Sequence, residues 1–260
     1  MVVGGGKMGE ALVTGVLRAK WARPTQVAIV EAVEERRAYL TAAFPGVKVG
    51  ESVPKADGVI IAVKPLDVAA ACEAIVPTRP TRVLSIAAGV TLASLQGWLG
   101  DLPVVRAMPN TPALIGAGAA AIAPGATATP ADLQWAEAVL GSVGVVTRVT
   151  EKALDAVTGL SGSGPAYVFL VAEALVDAGV LVGLDRGTSA LLTRQTLLGA
   201  ARMLSESEEL PEALRAAVTS PGGTTAAGLR VLEARAVRAA FLDAVVAATE
   251  RSRELGAPFG

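Results

Sequence analysis

Short continuous apolar runs alternate with helix-patterned segments through the first 150 residues, and after Glu151 the alternation stops. No other feature of the sequence restricts the fold as much. The runs 27–31 (VAIVE), 58–63 (GVIIAV), 82–86 (RVLSI) and 103–107 (PVVRA) read as strands, with further short ones near 118–123 and 144–149. They lack a polar face, as strands do when a parallel sheet is covered on both sides. Helical spacing fills the intervals 7–20, 33–44, 66–76, 91–99 and 130–140. Such alternation predicts a doubly wound α/β domain over residues 1–150. From 151 to 260 the pattern is helical, at 166–182, 186–205, 211–219 and 224–254, the last broken near 234–236. An all-α domain of this length is within the usual size range. Its helices are apolar on more than one face, as at Phe169, Leu170, Val171, Ala174, Leu175 and Val176. A helix apolar all round must be buried, and in a domain this small a second copy of the chain is expected to cover it.

Composition narrows the chemistry. The 260 residues include no histidine, one cysteine (Cys72) and a formal net charge of -1. Histidine acid–base chemistry, histidine-ligated metals, disulfides and cysteine-rich zinc sites are thereby excluded, and no metal is expected. Cys72 reads as a small buried apolar residue. Near-balanced charge argues against gripping nucleic acid through its phosphates. No stretch of about 20 uncharged apolar residues is apparent, and the start MVVGGGKMGEAL has no basic segment followed by an apolar one. The expectation is a soluble cytoplasmic protein with neither a membrane nor a nucleic-acid partner.

Gly4, Gly5, Gly6, Lys7, Met8 and Gly9 fit G-x-G-x-x-G between an apolar start and a helical segment. Gly4 makes the tight turn, Gly6 lets the backbone approach a pyrophosphate, and Gly9 permits close helix–sheet packing. The helix N-terminus adds free N–H groups and the positive end of the dipole. Glu31 follows Gly9 by 22 positions at the end of the next strand, where an acidic residue accepts from ribose hydroxyls. That leans toward NADH. Arg36 and Arg37 are close behind and are alternative receivers of a 2′-phosphate, so NADPH stays open. Only three residues precede the glycines, whereas a first strand usually has about five or six. Either that strand is short or the native N-terminus is longer.

Three further strand ends carry unusual loops. Ala62, Val63, Lys64 and Pro65 follow one; Ile86, Ala87 and Ala88 follow another; RAMPNTP at 106–112 ends the third. Open α/β sheets bind ligands at carboxyl ends of strands, so these loops are expected to share one crevice. In the helical half, TSPGGTT at 219–225 places hydroxyls, glycines and free N–H groups ahead of a helix. That combination suits a substrate carboxylate. GLSGSGPAY at 159–167 reads as a second Gly/Ser loop entering a helix.

Taken in order, GGGKMGEAL, AVKP, SIAAGVT, RAMPNTP, GLSGSGPAYVF and SPGGTT resemble the successive signatures of the pyrroline-5-carboxylate reductases. The resemblance spans Gly4 to Thr225, and its last two motifs are the most specific. It implies an N-terminal Rossmann-like dinucleotide-binding domain, 1–150, and an all-α substrate-binding and dimerisation domain, 151–260. It further implies reduction of 1-pyrroline-5-carboxylate to L-proline by NADPH or NADH, the last step of proline biosynthesis, in a homodimer often assembled into a ring of dimers. Carried onto this chain, residues 4–9 would hold the dinucleotide phosphates. Ala62, Val63, Lys64, Pro65, Ile86, Ala87 and Ala88 would line the nicotinamide and ribose side. Ser220, Gly223, Thr224 and Thr225 would bind the substrate, the Thr225 hydroxyl facing its ring nitrogen as the catalytic contact, with Glu151 nearby. The family's adenosine-side Asn has no counterpart in Val49-Gly50-Glu51-Ser52.

A chain without histidine suits this chemistry. Reducing a carbonyl develops an alkoxide and calls for a strong donor. A protonated cyclic imine is already electrophilic, and hydride neutralises it, so orientation suffices. A two-domain hydroxyacid dehydrogenase is one alternative. Gly159, Gly162 and Gly164 fit its glycine motif, but the place of its catalytic lysine holds Val168. The Tyr-x-x-x-Lys pair of short-chain reductases is absent at both tyrosines, Tyr39 and Tyr167. A non-catalytic dinucleotide-binding protein is another alternative, which would need the glycine loop but not SPGGTT.

Overall fold

The computed structural model describes residues 1–257. Eight strands form one sheet: β1 (Val2–Val3), β2 (Ala28–Val30), β3 (Lys48–Gly50), β4 (Gly58–Ile61), β5 (Arg82–Ser85), β6 (Val104–Met108), β7 (Gly118–Pro124) and β8 (Gly144–Arg148). Their order is β3-β2-β1-β4-β5-β6-β7-β8. All neighbours pair parallel except β6 and β7. The order reverses between β1 and β4, which is where a doubly wound sheet opens its crevice. Register pairs Val2 with Ile29 and Ile60, and Val3 with Val30 and Ile61.

The continuous apolar runs have the expected cause. Val2, Ile29, Ile60, Leu84 and Val105 pack into one core with helices α1 (Lys7–Arg18), α2 (Glu34–Ala43) and α5 (Pro130–Gly141). Their strand neighbours Val3, Val30, Ile61, Val83 and Val104 pack into the opposite core with α3 (Val68–Ile75) and α4 (Leu92–Leu99). Both faces are buried, so the strands are apolar on both, with Ser85 and Arg106 as buried polar exceptions. Cys72 is fully buried in the second core. Burial pushes its thiol up to about 12, with Glu73 adding to the shift.

Two local expectations need correction. The strand β3 was not anticipated: Lys48–Gly50 is three residues long and only partly covered, so it carries no apolar run to read. The Gly/Ser segment from 159 is not a loop. Residues 151–162 are wound as a short helical turn, helix α6 (Leu154–Val157) and a wide π-type turn, Thr158–Gly162, before α7 (Gly164–Leu181). Thr158 Oγ1 donates to Leu154 O at 2.8 Å and Ser161 Oγ to Val157 O at 3.1 Å, so the hydroxyls are satisfied inside the helix. Gly159 is there for close approach: a Cβ would stand 2.3 Å from Thr249 Oγ1 and 2.8 Å from Val245 O.

The remaining helices are α8 (Arg186–Glu206), α9 (Pro211–Ala217), α10 (Thr224–Ala234) and α11 (Val237–Gly256). The break falls where expected, with Ala236 at φ 55 between α10 and α11. By contacts the chain groups into two compact units, Met1–Pro165 with the residues from Val245 on, and Ala166–Ala244. The sequence boundary was drawn at 150/151; the 151–165 stretch groups with the first unit because Leu154 is buried in its second core and Ser252 Oγ donates to Asp155 Oδ1 at 2.7 Å. In the second unit, Ser189 is buried and its hydroxyl donates to Val176 O at 2.7 Å, tying α8 to α7. Gly179 allows this approach, since a Cβ there would lie 2.1 Å from Ser189 Oγ. Phe169, Leu170, Leu181, Leu191 and Leu192 are exposed on the single chain. The helical run Glu151–Leu181 is long and apolar enough, by length and composition, to cross a membrane.

Candidate active site

The glycine loop joins β1 to α1 at the switch point of the sheet. Gly4 has φ +104, and a Cβ there would lie 2.6 Å from Ala62 O and 2.8 Å from Val63 N. The loop therefore sits against the backbone at the end of β4. A Cβ on Gly9 would lie 2.1 Å from Gly4 O, so α1 starts in contact with the turn. A Cβ on Gly6 would meet nothing within 4 Å. That open face, over the first turn of a helix capped by no side chain, is the space a diphosphate needs. The loop thus fits a dinucleotide.

Gly5 is constrained too, which the motif alone did not reveal. A Cβ there would lie 2.4 Å from Leu40 Cδ1. Its N–H donates to Glu31 Oε2 at 2.9 Å, and Val33 N–H donates to Glu31 Oε1, also at 2.9 Å. Its carbonyl accepts from Arg36 Nε at 2.7 Å. Arg36 also pairs with Glu10, whose other oxygen accepts from Tyr39 Oη at 2.9 Å, and its guanidinium sits 4.7 Å from the Tyr39 ring centre. Arg37 donates to the carbonyls of Glu31 at 2.9 Å and Ala32 at 2.6 Å.

Next along the sheet, Lys64 is exposed at the end of β4 and leads into a short turn, Pro65–Asp67. Ile86 N–H donates to Ile61 O at 3.1 Å, which sets the turn after β5 beside β4; Ala87 is buried and Ala88 exposed. Residues 4–9, Glu31, 62–65 and 86–88 thus end up on the carboxyl ends of β1, β2, β4 and β5. The third loop is pinned by Asn110, whose Nδ2 donates to Ser161 O at 2.9 Å and whose Oδ1 accepts from Ala119 N–H at 2.8 Å.

Glu151 is held by two donors of the first unit. Its Oε1 accepts from buried Arg106 Nη1 at 3.0 Å and from Leu92 N–H at the start of α4. It links β6 to the helix that follows the 86–88 turn. Arg106 was noted only as part of RAMPNTP; a buried arginine in a strand requires a carboxylate partner, and Glu151 supplies it. Ser220, Gly223, Thr224 and Thr225 belong to the second unit. Gly223 is the N-cap of α10, with its N–H donating to Ser220 O at 3.0 Å, and Gly222 takes φ +70. No side chain caps this helix, so its first amides are open to an anion. Thr224 is exposed and Thr225 half-buried.

A cavity of about 610 Å³ lies elsewhere, lined by Met1, Trp21, Val27, Gly58 and Trp135. It is at the amino ends of the strands. At its edge the Met1 ammonium donates to Gly58 O at 2.8 Å. Among the described residues no group of three or more His, Cys, Asp or Glu side chains is placed to hold a metal.

Residues 151–255 match the family described as pyrroline-5-carboxylate reductase dimerisation, and residues 1–89 match NADP oxidoreductase coenzyme F420-dependent. The pyrroline-5-carboxylate reductase of Synechocystis is 44% identical across 98% of this chain and 97% of its own. That of Pseudomonas aeruginosa is 42% identical across 99% and 97%. The solved pyrroline-5-carboxylate reductase of Coxiella burnetii superposes with a TM-score of 0.92 at 37% identity, over 98% of this chain and 97% of its own. The Plasmodium falciparum enzyme, with NADP bound, gives 0.84 at 29%, over 98% and 97%. With its glycine loop, its helical second half and relatives matched from end to end, the chain belongs to the pyrroline-5-carboxylate reductase family.

Proposed function

We propose that this chain reduces 1-pyrroline-5-carboxylate to L-proline with NAD(P)H, completing proline biosynthesis. The observation that carries the reading is a pair of helix starts left open to anions: α1, entered through the glycine loop, and α10, entered through Ser220–Gly223 without a side-chain cap. When bound, NAD(P)H supplies a hydride. Gly4, Gly5, Gly6, Lys7, Met8 and Gly9 hold the diphosphate; Ala62, Val63, Lys64, Pro65, Ile86, Ala87 and Ala88 line the nicotinamide and ribose side. Ser220 and the amides of Gly223, Thr224 and Thr225 take the substrate carboxylate. The Thr225 hydroxyl orients the ring nitrogen. Hydride addition to the carbon of the protonated C=N bond leaves a neutral secondary amine, so no anion needs stabilising and no histidine is required. Glu151 serves through Arg106 and α4, as a residue that positions the 86–88 turn.

Residues 1–150 carry the coenzyme in this reading, and 151–260 carry substrate binding and dimerisation. The exposed Phe169, Leu170, Leu191 and Leu192 supply a face for a second copy. Several dimers closing into a ring, a cytoplasmic location, and no partner membrane or nucleic acid complete the reading. Covering by a second subunit accounts for the apolar run at 151–181, and a net charge of -1 offers little to nucleic acid. The hydroxyacid dehydrogenase alternative loses ground at Val168, an exposed apolar residue at its lysine position. The assay is NADH or NADPH oxidation followed at 340 nm with pyrroline-5-carboxylate, against a 2-keto acid control. Oxidation only with the keto acid refutes the reading, and binding of coenzyme without turnover of either favours a binding protein.

A further inference from the structure

We infer that Glu31 makes this chain an NADH-preferring reductase and that neither Arg36 nor Arg37 receives a 2′-phosphate. The inference rests on the dinucleotide reading above and deepens it. The sequence left the two arginines and the carboxylate as rivals; the geometry separates them.

Glu31 ends β2 beside the glycine loop, and its carboxylate is fixed there by two backbone donors, Gly5 N–H and Val33 N–H, each at 2.9 Å. A carboxylate oxygen has two lone pairs. Each oxygen of Glu31 therefore keeps one acceptor site after these bonds, enough for a neighbouring pair of ribose hydroxyls. A ribose 2′-hydroxyl has a proton to donate into that site. A 2′-phosphate brings negative charge instead, and like charges at contact distance oppose binding.

The arginines cannot offset this, because both are already committed. Arg36 turns back under the loop: Nε is held by Gly5 O, Nη2 is paired with Glu10, and its plane sits over the Tyr39 ring. Arg37 points its Nη1 at two carbonyls, Glu31 O and Ala32 O, and its Nη2 lies 3.8 Å from Glu51. Glu34 and Glu35 open helix α2 just beyond. The end of β2 thus carries carboxylates in excess of guanidinium groups, and releasing either arginine toward a phosphate breaks bonds already made. In this arrangement Arg36 is a positioning residue that ties the Gly5 carbonyl.

The test compares kcat/KM for NADH and NADPH with pyrroline-5-carboxylate, alongside direct titration of each coenzyme by fluorescence. The native protein is expected to favour NADH at least tenfold. Glu31→Gln keeps the shape and removes the charge, and it should narrow the ratio at least tenfold; Glu31→Ser serves as the second variant if the first is unstable. Arg36→Ala should weaken NADH and NADPH alike. Equal use of the two coenzymes by the native protein, an unchanged ratio in both Glu31 variants, or a loss confined to NADPH in Arg36→Ala overturns the inference while leaving the reductase reading intact. Failure of both coenzymes to bind overturns the inference and the reductase reading together.

Discussion

Replacing Gly6 by alanine separates folding from coenzyme binding. Gly6 has φ -64 and ψ -177, a conformation open to any residue, and its Cβ would touch nothing within 4 Å. Two small effects on stability oppose each other. Removing a glycine from the unfolded ensemble favours folding by roughly 0.4–1 kcal/mol. Alanine is a poorer N-cap than glycine, by an amount on the order of 0.5–1 kcal/mol. The net change is expected to be within about 0.5 kcal/mol of zero. The effect on binding is not small, because the new methyl occupies the open face over the first turn of α1. A diphosphate pushed outward loses at least one charge-assisted N–H···O bond, worth roughly 1.5–3 kcal/mol. Coenzyme affinity should fall at least tenfold, since about 1.4 kcal/mol corresponds to a factor of ten. Urea denaturation measures the first quantity and fluorescence titration with NADH the second. An unchanged Kd in a normally folded Gly6→Ala protein would show that the diphosphate does not pass over Gly6.

Three other outcomes follow from the same geometry. Thr225→Ala should lower kcat and raise KM for the imine while leaving coenzyme Kd unchanged; unaltered kinetics would remove Thr225 from the site. Gly159→Ala puts a Cβ 2.3 Å from Thr249 Oγ1 and should destabilise the protein by roughly 1–3 kcal/mol, read as a lower urea midpoint. Cys72 is buried with its thiol pushed up to about 12, so it stays a neutral thiol through pH 8–9. A thiol reagent at pH 8 should label it only as fast as the protein unfolds, and rapid labelling of the native form would contradict its placement.

Much of the architecture was readable because it obeys simple steric rules. GGGKMG betrays its turn because Gly4 and Gly9 lie where any Cβ would strike backbone. The strands were visible because residues such as Ile60 and Ile61 serve opposite cores and neither can be polar. The same logic misled at GLSGSG. The segment reads as a loop because Gly and Ser cluster there, but it is helical, and at Gly159 the missing side chain gives a flat surface for another helix. Lys48–Gly50 escaped notice because three half-covered residues hold no periodicity. The rivalry between Glu31 and Arg36 was undecidable in one dimension. The inference drawn for Glu31 turns on Glu10, 26 positions before Arg36 in the chain, which pairs with the guanidinium only once the fold brings them together. Glu151 is a similar case, since its partner Arg106 precedes it by 45 positions.

The return of helix α11 to the first unit has a bearing on biosynthesis. Thr249 and Ser252 meet Gly159 and Asp155 only after about 90 further residues have been made. A nascent chain leaves the ribosome at about 5–20 residues per second. The nucleotide-binding half, though made earlier, must wait for helix α11 before this seam can close. Ribosome-stalled chains halted before Val245 should therefore hold the sheet but remain open to protease along residues 151–165.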